Sequence, residues 1–401
     1  MKVTETTLIQ ARGSLLWEEN GVIHRDTCNL HKLNVWRDLF PPKLEEKLLG
    51  AEEGEKIEMA FPAGSLIPDH DPAKVLKVSH SQFDFNEEDP LEEPKLGLFY
   101  RLGCLKGLHG VFRSDLSPFR IIDRDASQFW IDYNPPMAGR DLRLELDLET
   151  ISASQQERGG RCIDLASKLS EGGPGMQASI KGVKTEFQSG TPYFREDGDN
   201  DLNFYQKPRM LSHLDTQAQA ELEGLYGQLL TKSNRILDLM SSWQSHLPQN
   251  LDTSTVVGLG MNSEELSLNP RLDQSLVHDL NQKPELPFED ENFDAVICSL
   301  SIEYLLQPVK VLQEARRILV PGGLLLITFS NRWFPPKVIR IWTELQEFER
   351  TGMVMQWLKE VSGFRSLETS SLRELPRPWD DRHQKLSPFS DPIYAVWGYK
   401  T

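Results

Sequence analysis

Cysteine is scarce in this 401-residue chain: Cys28, Cys104, Cys162 and Cys298 are the four, far apart and without a C-x-x-C pair. That spacing excludes a zinc knuckle and a disulfide framework, gives no reason to expect a metal, and fits a reducing compartment. Positive charge is also short. Lys and Arg total 44 against 60 Asp and Glu, a net charge of −16, and no local basic cluster offsets it. A phosphate backbone would be repelled, so nucleic acid is not an expected partner. No apolar run approaches the ~18 residues that cross a bilayer, and Met1–Thr6 lacks the apolar core of a signal peptide. A cytoplasmic protein with no membrane partner is the expectation.

What is present is enough apolar material for sizeable cores, with 39% hydrophobic residues, 9 Trp, 18 Phe and 8 Tyr. At ~100–200 residues per domain the length points to two domains or three. Residues 1–151 read as mostly-β. Phe119–Asp123, Gln128–Tyr133 and Asp141–Leu148 are short, alternating or β-branched and divided by Gly, Pro and Asp turns, which marks half-buried antiparallel strands. One helix, Pro42–Leu49, ends at Gly50. The acidic run Glu87–Glu93 reads as a solvated loop.

Residues 152–204 turn to Gly, Ser and Gln and read as a linker with a helical piece, Ile163–Leu169; Arg158–Cys162 within it reads as a flexible turn. From residue 205 to the end, apolar strands alternate with helices. Strands are expected at Arg235–Leu239, Thr255–Leu259, Ala295–Ser299 and Leu324–Phe329, and helices near Ser263–Leu268 and Pro308–Leu319. This alternation predicts an α/β domain, a parallel sheet covered by helices on both faces, with the ligand beyond the carboxyl ends of the strands.

Four blocks carry a resemblance in this second half: Ile236-Leu237-Asp238-Leu239, Val277-His278-Asp279-Leu280, Leu286–Val296 with its LPF and FDAV, and Glu314–Ile327 with its Pro321-Gly322-Gly323 turn. Together they resemble class I S-adenosylmethionine-dependent methyltransferases of the type 11 kind. The resemblance implies a Rossmann-like fold, S-adenosyl-L-methionine as cofactor, Asp238 and Asp279 on the cofactor, and a small-molecule or protein acceptor. Two expected features are absent. The Gly-rich turn after the first strand carries Met240, Ser242 and Gln244 at its glycine positions. The acid expected after the second strand is Gly260, with Asn262 as the nearest polar substitute. The replaced turn, Ser241-Ser242-Trp243-Gln244-Ser245-His246, instead offers hydroxyls, a stacking face and a titratable base. Asp238, Ser241, Ser242, Trp243, Asn262, Asp279 and Ser299 are thus the cofactor-side candidates, and His246 and Tyr304 the catalytic ones. Asp279 either meets adenine or caps the turn from Asn281. Without a G-x-S-x-G elbow, Ser242, His246 and Asp238 do not make a nucleophilic triad.

The first half has its own resemblance, on Leu44–Met59 and on Ile131-Asp132-Tyr133-Asn134-Pro135-Pro136-Met137-Ala138-Gly139-Arg140-Asp141-Leu142. These resemble FKBP-type peptidyl-prolyl isomerases of the SlyD-like branch, which implies an antiparallel β domain with an insertion in the flap, here about residues 66–120. A proline-containing polypeptide is the implied partner, and Trp36, Phe40, Leu44, Phe61, Tyr100 and Tyr133 are the pocket candidates. Here too pieces depart from the pattern: Pro41 stands where a backbone N–H would hold a carbonyl, and Pro135 replaces the usual His. The expected function is methyl transfer; the alternatives are a prolyl isomerase or chaperone, or a non-catalytic binding protein built on both folds.

Overall fold

The computed structural model describes residues 1–83, 94–153, 160–231, 234–253 and 255–401. The acidic run Glu87–Glu93 and the first residues of Arg158–Cys162 lie outside them. The chain divides into two compact units. One holds Met1–Asn20, His24–Pro192 and Leu345–Gly352; the other holds Gly21–Ile23, Tyr193–Glu344 and Met353–Thr401.

In the first unit, the strands β1 (Thr7–Glu19), β2 (Val22–Asn34), β3 (Lys56–Phe61) and β8 (Leu142–Ala153) lie in the order β2-β1-β8-β3. Their alternation buries Ile9, Ala11 and Leu15 against Leu144, Leu146 and Leu148, and the helices α1 (Leu44–Leu48) and α2 (Leu165–Ser170) add Leu44, Leu48, Leu165 and Leu169 to that core. Between β3 and β8 the chain builds a second, four-stranded sheet from β4 (Val75–Ser79), β5 (Phe99–Arg101), β6 (Pro118–Arg124) and β7 (Gln128–Asp132), in the order β4-β7-β6-β5. Its own core is Val78, Phe83, Phe119, Ile121, Phe129 and Ile131. The inserted part therefore runs on through Asp132, beyond the residue 120 expected from sequence, because Phe119–Asp123 and Gln128–Asp132 pair with each other and with β4.

The stretch read as linker is largely packed. Met176, Ala178 and Phe187 are buried, and Leu39 exchanges backbone hydrogen bonds with Ile163 and Leu165. Cys162 is exposed, its thiol 3.2 Å from the Arg37 carbonyl.

The second unit is a seven-stranded sheet of β9 (Arg235–Leu239), β10 (Thr255–Gly260), β11 (Gln274–Val277), β12 (Phe293–Ser299), β13 (Leu319–Phe329), β14 (Phe364–Arg373) and β15 (Ile393–Lys400). The order is β11-β10-β9-β12-β13-β15-β14. The first five are parallel, and β15 runs antiparallel to both of its neighbours, β13 and β14, a mixed sheet. Strands β11, β14 and β15 were not anticipated from sequence. Their helical companions are α3 (Asp201–Tyr205), α4 (Thr216–Leu229), α5 (Ser263–Leu268), α6 (Pro308–Ile318), α7 (Arg340–Glu344) and, from Met353 onward, α8 (Glu347–Val361). Every third or fourth residue of α6, Val311, Leu312, Ala315 and Ile318, is buried. Strand order reverses between β9 and β12, which opens a crevice at their carboxyl ends. Among the described residues no helix is long and apolar enough to cross a membrane.

Candidate functional site

The crevice is a cleft with about 1080 Å³ of empty space, part of it open to solvent. Its floor is the turn after β9. Asp238 is fully buried, and its Oδ2 accepts hydrogen bonds from the Ser241 and Ser245 hydroxyls, both at 2.6 Å. Burial pushes its carboxyl up to about 6 against the pull of those two donors. Asp238 thus ties the turn together from below.

Met240 holds φ 59°, the left-handed conformation that favours glycine. A glycine would adopt this conformation without strain. The Ser241 N–H then donates to the Leu259 carbonyl at 2.8 Å, locking the turn onto β10. As a result the Ser241 carbonyl oxygen sits against Gly260, where any Cβ would run into it. An acid at that strand end is sterically shut out.

The remaining turn residues have fixed partners. Ser242 Oγ donates to Glu265 Oε2 at 2.6 Å, and Gln244 Nε2 to Gln219 Oε1 at 2.8 Å. Trp243 Nε1 points to the Leu211 carbonyl at 3.4 Å. His246, also left-handed at φ 54°, is buried, and burial together with nearby His213 pushes its imidazole down to about 4. It is neutral, and its Nδ1 has no hydrogen-bond partner among the described residues.

Beside the end of β10, Asp279 follows β11. Its Oδ1 caps the turn through the Asn281 and Gln282 N–H groups at 2.9 and 3.2 Å, while its buried Oδ2 has no partner among the described residues. The capping reading and the ligand reading thus use different oxygens of one carboxylate. Ser299 is engaged by the buried Tyr226 hydroxyl at 2.6 Å. Tyr304 accepts the Phe334 N–H at 2.8 Å, and burial raises its phenol well above the ordinary value, so it is a neutral hydroxyl and not a base.

A rim missed from sequence comes from Asp201–His213, Glu265 and Phe334. Arg209 stacks on the Phe204 ring at 4.0 Å, and His213 meets Phe334 edge-on at 4.9 Å. Asp201 receives Arg195 at 2.9 Å, the buried Lys337 at 3.2 Å and Asn281 at 2.8 Å. Burial works against the Asp201 charge, but these donors outweigh it and hold its carboxyl below the ordinary value. The sequence boundary at residue 204 hid this rim in the supposed linker and entry helix.

The fold therefore brings Asp238, Ser241, Ser242, Trp243, His246, Asp279, Ser299 and Tyr304 to one cleft. Asn262 is a correction. It caps α5, its Oδ1 accepting from Glu264 and Glu265 and its Nδ2 donating to the Tyr205 and Gln206 carbonyls, and it lies outside the cleft lining. The six proline-pocket candidates do not converge either. Leu44, Phe61 and Phe40 belong to the main core of the first unit, Tyr100 and Tyr133 pack on the core of the small sheet, and Trp36 is exposed. Among the described residues no group of three His, Cys, Asp or Glu is arranged for a metal.

Residues 242–327 match the family model described as a methyltransferase domain. The chain is 27% identical over 139 residues to malonyl-[acyl-carrier protein] O-methyltransferase of Marinomonas sp. (strain MWYL1), covering 30% of this chain and 52% of that protein. It is 28% identical over 158 residues to the mitochondrial 2-methoxy-6-polyprenyl-1,4-benzoquinol methylase of Mus musculus, 38% of this chain and 46% of that protein. The chain spans about half the length of the curated relatives it matches. Among solved structures, a methyltransferase from Thermotoga maritima, possibly a histamine N-methyltransferase, aligns with TM-score 0.35 and 16% identity over 46% of this chain and 89% of its own. A putative methyltransferase from Bacillus halodurans aligns with TM-score 0.32 and 14% identity, over 46% and 99%. The second unit therefore carries a Rossmann-like, methyltransferase-like domain, and that domain match implies S-adenosyl-L-methionine as the cofactor.

Proposed function

We propose that the chain binds S-adenosyl-L-methionine in the cleft above β9, β10 and β12 and transfers its methyl group to a small molecule or a protein-borne acceptor. The observation that carries this reading is a pair of orphaned polar atoms, Asp279 Oδ2 and His246 Nδ1, on residues that line a cleft at the strand-order reversal. Buried polar atoms without partners are costly unless a ligand supplies the hydrogen bond. Asp279 accepts from a donor such as an exocyclic amine, and the neutral His246 offers an acceptor to a second polar group. The left-handed backbone at Met240 is one that glycine adopts readily, and with the two orphaned atoms it supports a fit to the cofactor.

The cofactor supplies a methyl group made electrophilic by its sulfonium. The chain supplies alignment: Trp243 and Leu305 give apolar walls, while Phe334 and Tyr304 close the rim. The two curated relatives are named for a malonyl group on acyl-carrier protein, methylated on oxygen, and for a benzoquinol, which supports a small molecule or a protein-borne group as the acceptor. Residues 1–151 receive no catalytic role here, since their six aromatic and aliphatic candidates lie in separate clusters.

A thermal-shift titration tests the reading. Millimolar S-adenosyl-L-methionine is expected to raise the melting temperature of the full chain, with S-adenosylhomocysteine competing; no shift with either sinks it, and leaves a non-catalytic binding protein as the alternative.

A further inference from the structure

A ribose presents two hydroxyl donors on adjacent carbons, and a carboxylate with two oxygens is the side chain best matched to accept both. The end of β10 lacks such an acid, and the Ser241 carbonyl leaves no room for one. Glu265 supplies a carboxylate on the same wall. We propose that Glu265, in the first turn of α5, holds the ribose hydroxyls of the cofactor, an inference that rests on the methyltransferase reading above.

The geometry supporting this is fixed by three anchors. Asn262 caps α5 and accepts the Glu265 N–H at 3.1 Å, which sets the direction of the first turn. Glu265 Oε1 accepts the Arg209 N–H at 2.7 Å and Oε2 accepts the Ser242 hydroxyl at 2.6 Å. Each oxygen of a carboxylate has two lone pairs, so each keeps one direction open after these bonds. The residue is 8% exposed and lines the cleft, so its carboxylate is desolvated and oriented before any ligand arrives. Three other carboxylates border the cleft. Asp201 is taken by Arg195, Lys337 and Asn281. Asp238 has its Oδ2 taken by two serine hydroxyls beneath the turn. Asp279 follows β11, which pairs with the end of β10, and its Oδ1 is taken by the Asn281 and Gln282 N–H groups, leaving a single orphaned oxygen.

The test is calorimetry on the full chain with S-adenosylhomocysteine and its 2′-deoxy and 3′-deoxy analogues. Wild type is expected to prefer the parent compound by about tenfold or more. In Glu265→Gln the parent should weaken by about ten- to a hundred-fold and the three compounds should fall within about threefold of one another. Asp279→Asn should keep the wild-type ranking. The proposal is overturned if Glu265→Gln weakens all three equally, if it leaves the ranking intact, or if Asp279→Asn is the change that erases it. Where Glu265→Gln loses its cooperative melt, Glu265→Asp decides: lost ranking supports the assignment and a full ranking overturns it. Absence of binding of all three compounds to wild type instead removes the methyltransferase reading itself.

Discussion

The carbonyl oxygen of Ser241 fills the space into which a side chain at Gly260 would grow. The turn after β9 and the end of β10 are thereby packed backbone to backbone, and the hydrogen bond from Ser241 N–H to the Leu259 carbonyl holds them there. Gly260→Ala should cost about 1–3 kcal/mol, through forced backbone displacement. Gly260→Asp, which restores the acid by sequence logic, should cost at least as much and not improve cofactor binding. Urea unfolding checks both; an unchanged midpoint contradicts the packing described.

Much of this was legible in the sequence. The strands β9, β10, β12 and β13 and the helices α5 and α6 stand where their apolar patterns put them, and Asp238, Ser242, His246 and Asp279 share the cleft. What sequence could not show was conformation. Met240 looked like a blocked glycine position, yet a non-glycine residue can hold a left-handed backbone when neighbouring bonds over-determine it. Asn262 looked like a polar substitute for the missing acid because polarity is visible in a sequence and capping geometry is not. Glu265 read only as a helix residue, since its value lies in contacts with Ser242 and Arg209, distant in the chain. The inserted sheet ran past its expected end because Phe119 and Phe129 share a core that local alternation does not reveal.

Met240 carries the conformational cost of its left-handed backbone. A residue with a β-carbon costs roughly 1–2 kcal/mol there. Met240→Gly should therefore leave stability unchanged or raise it by up to about 1 kcal/mol, whereas Met240→Val should lower it by about 1–2 kcal/mol. Thermal unfolding should show no loss in Met240→Gly and a loss in Met240→Val; two equal losses would mean that the side chain, not the backbone, matters.

Asp238 makes stability fall as pH rises. Its folded carboxyl is pushed up to about 6 from an ordinary 3.8, chiefly by burial, so the unfolded chain releases that proton first. Its contribution is complete below the ordinary value and is lost as pH climbs through about 6, a loss of roughly 3 kcal/mol. Glu349, pushed up to about 7 by burial, adds a decline of the same sign from 4.5 upward. The comparison is therefore between wild type and Asp238→Asn: across this window the variant should lose less stability. Parallel pH profiles would contradict the buried, protonated state.

His246 works in the opposite direction. Its imidazole is pushed down to about 4 from 6.5, so its contribution is present above the ordinary value and lost as pH falls through about 4. In nuclear magnetic resonance titrations its ring should stay neutral until well below pH ~6.5, the ordinary value for an exposed histidine. His246→Asn should keep the left-handed backbone, which asparagine tolerates. A ring that titrates at the ordinary value would place His246 in solvent.

Direct calorimetry of the full chain with S-adenosyl-L-methionine bears hardest on the proposed function. Wild type should bind one equivalent, and Ser301→Trp, which plants an indole in the cleft, should bind none while melting at a similar temperature. No heat from wild type, or unaltered binding in Ser301→Trp, would show that the cleft above β9, β10 and β12 is not the cofactor site.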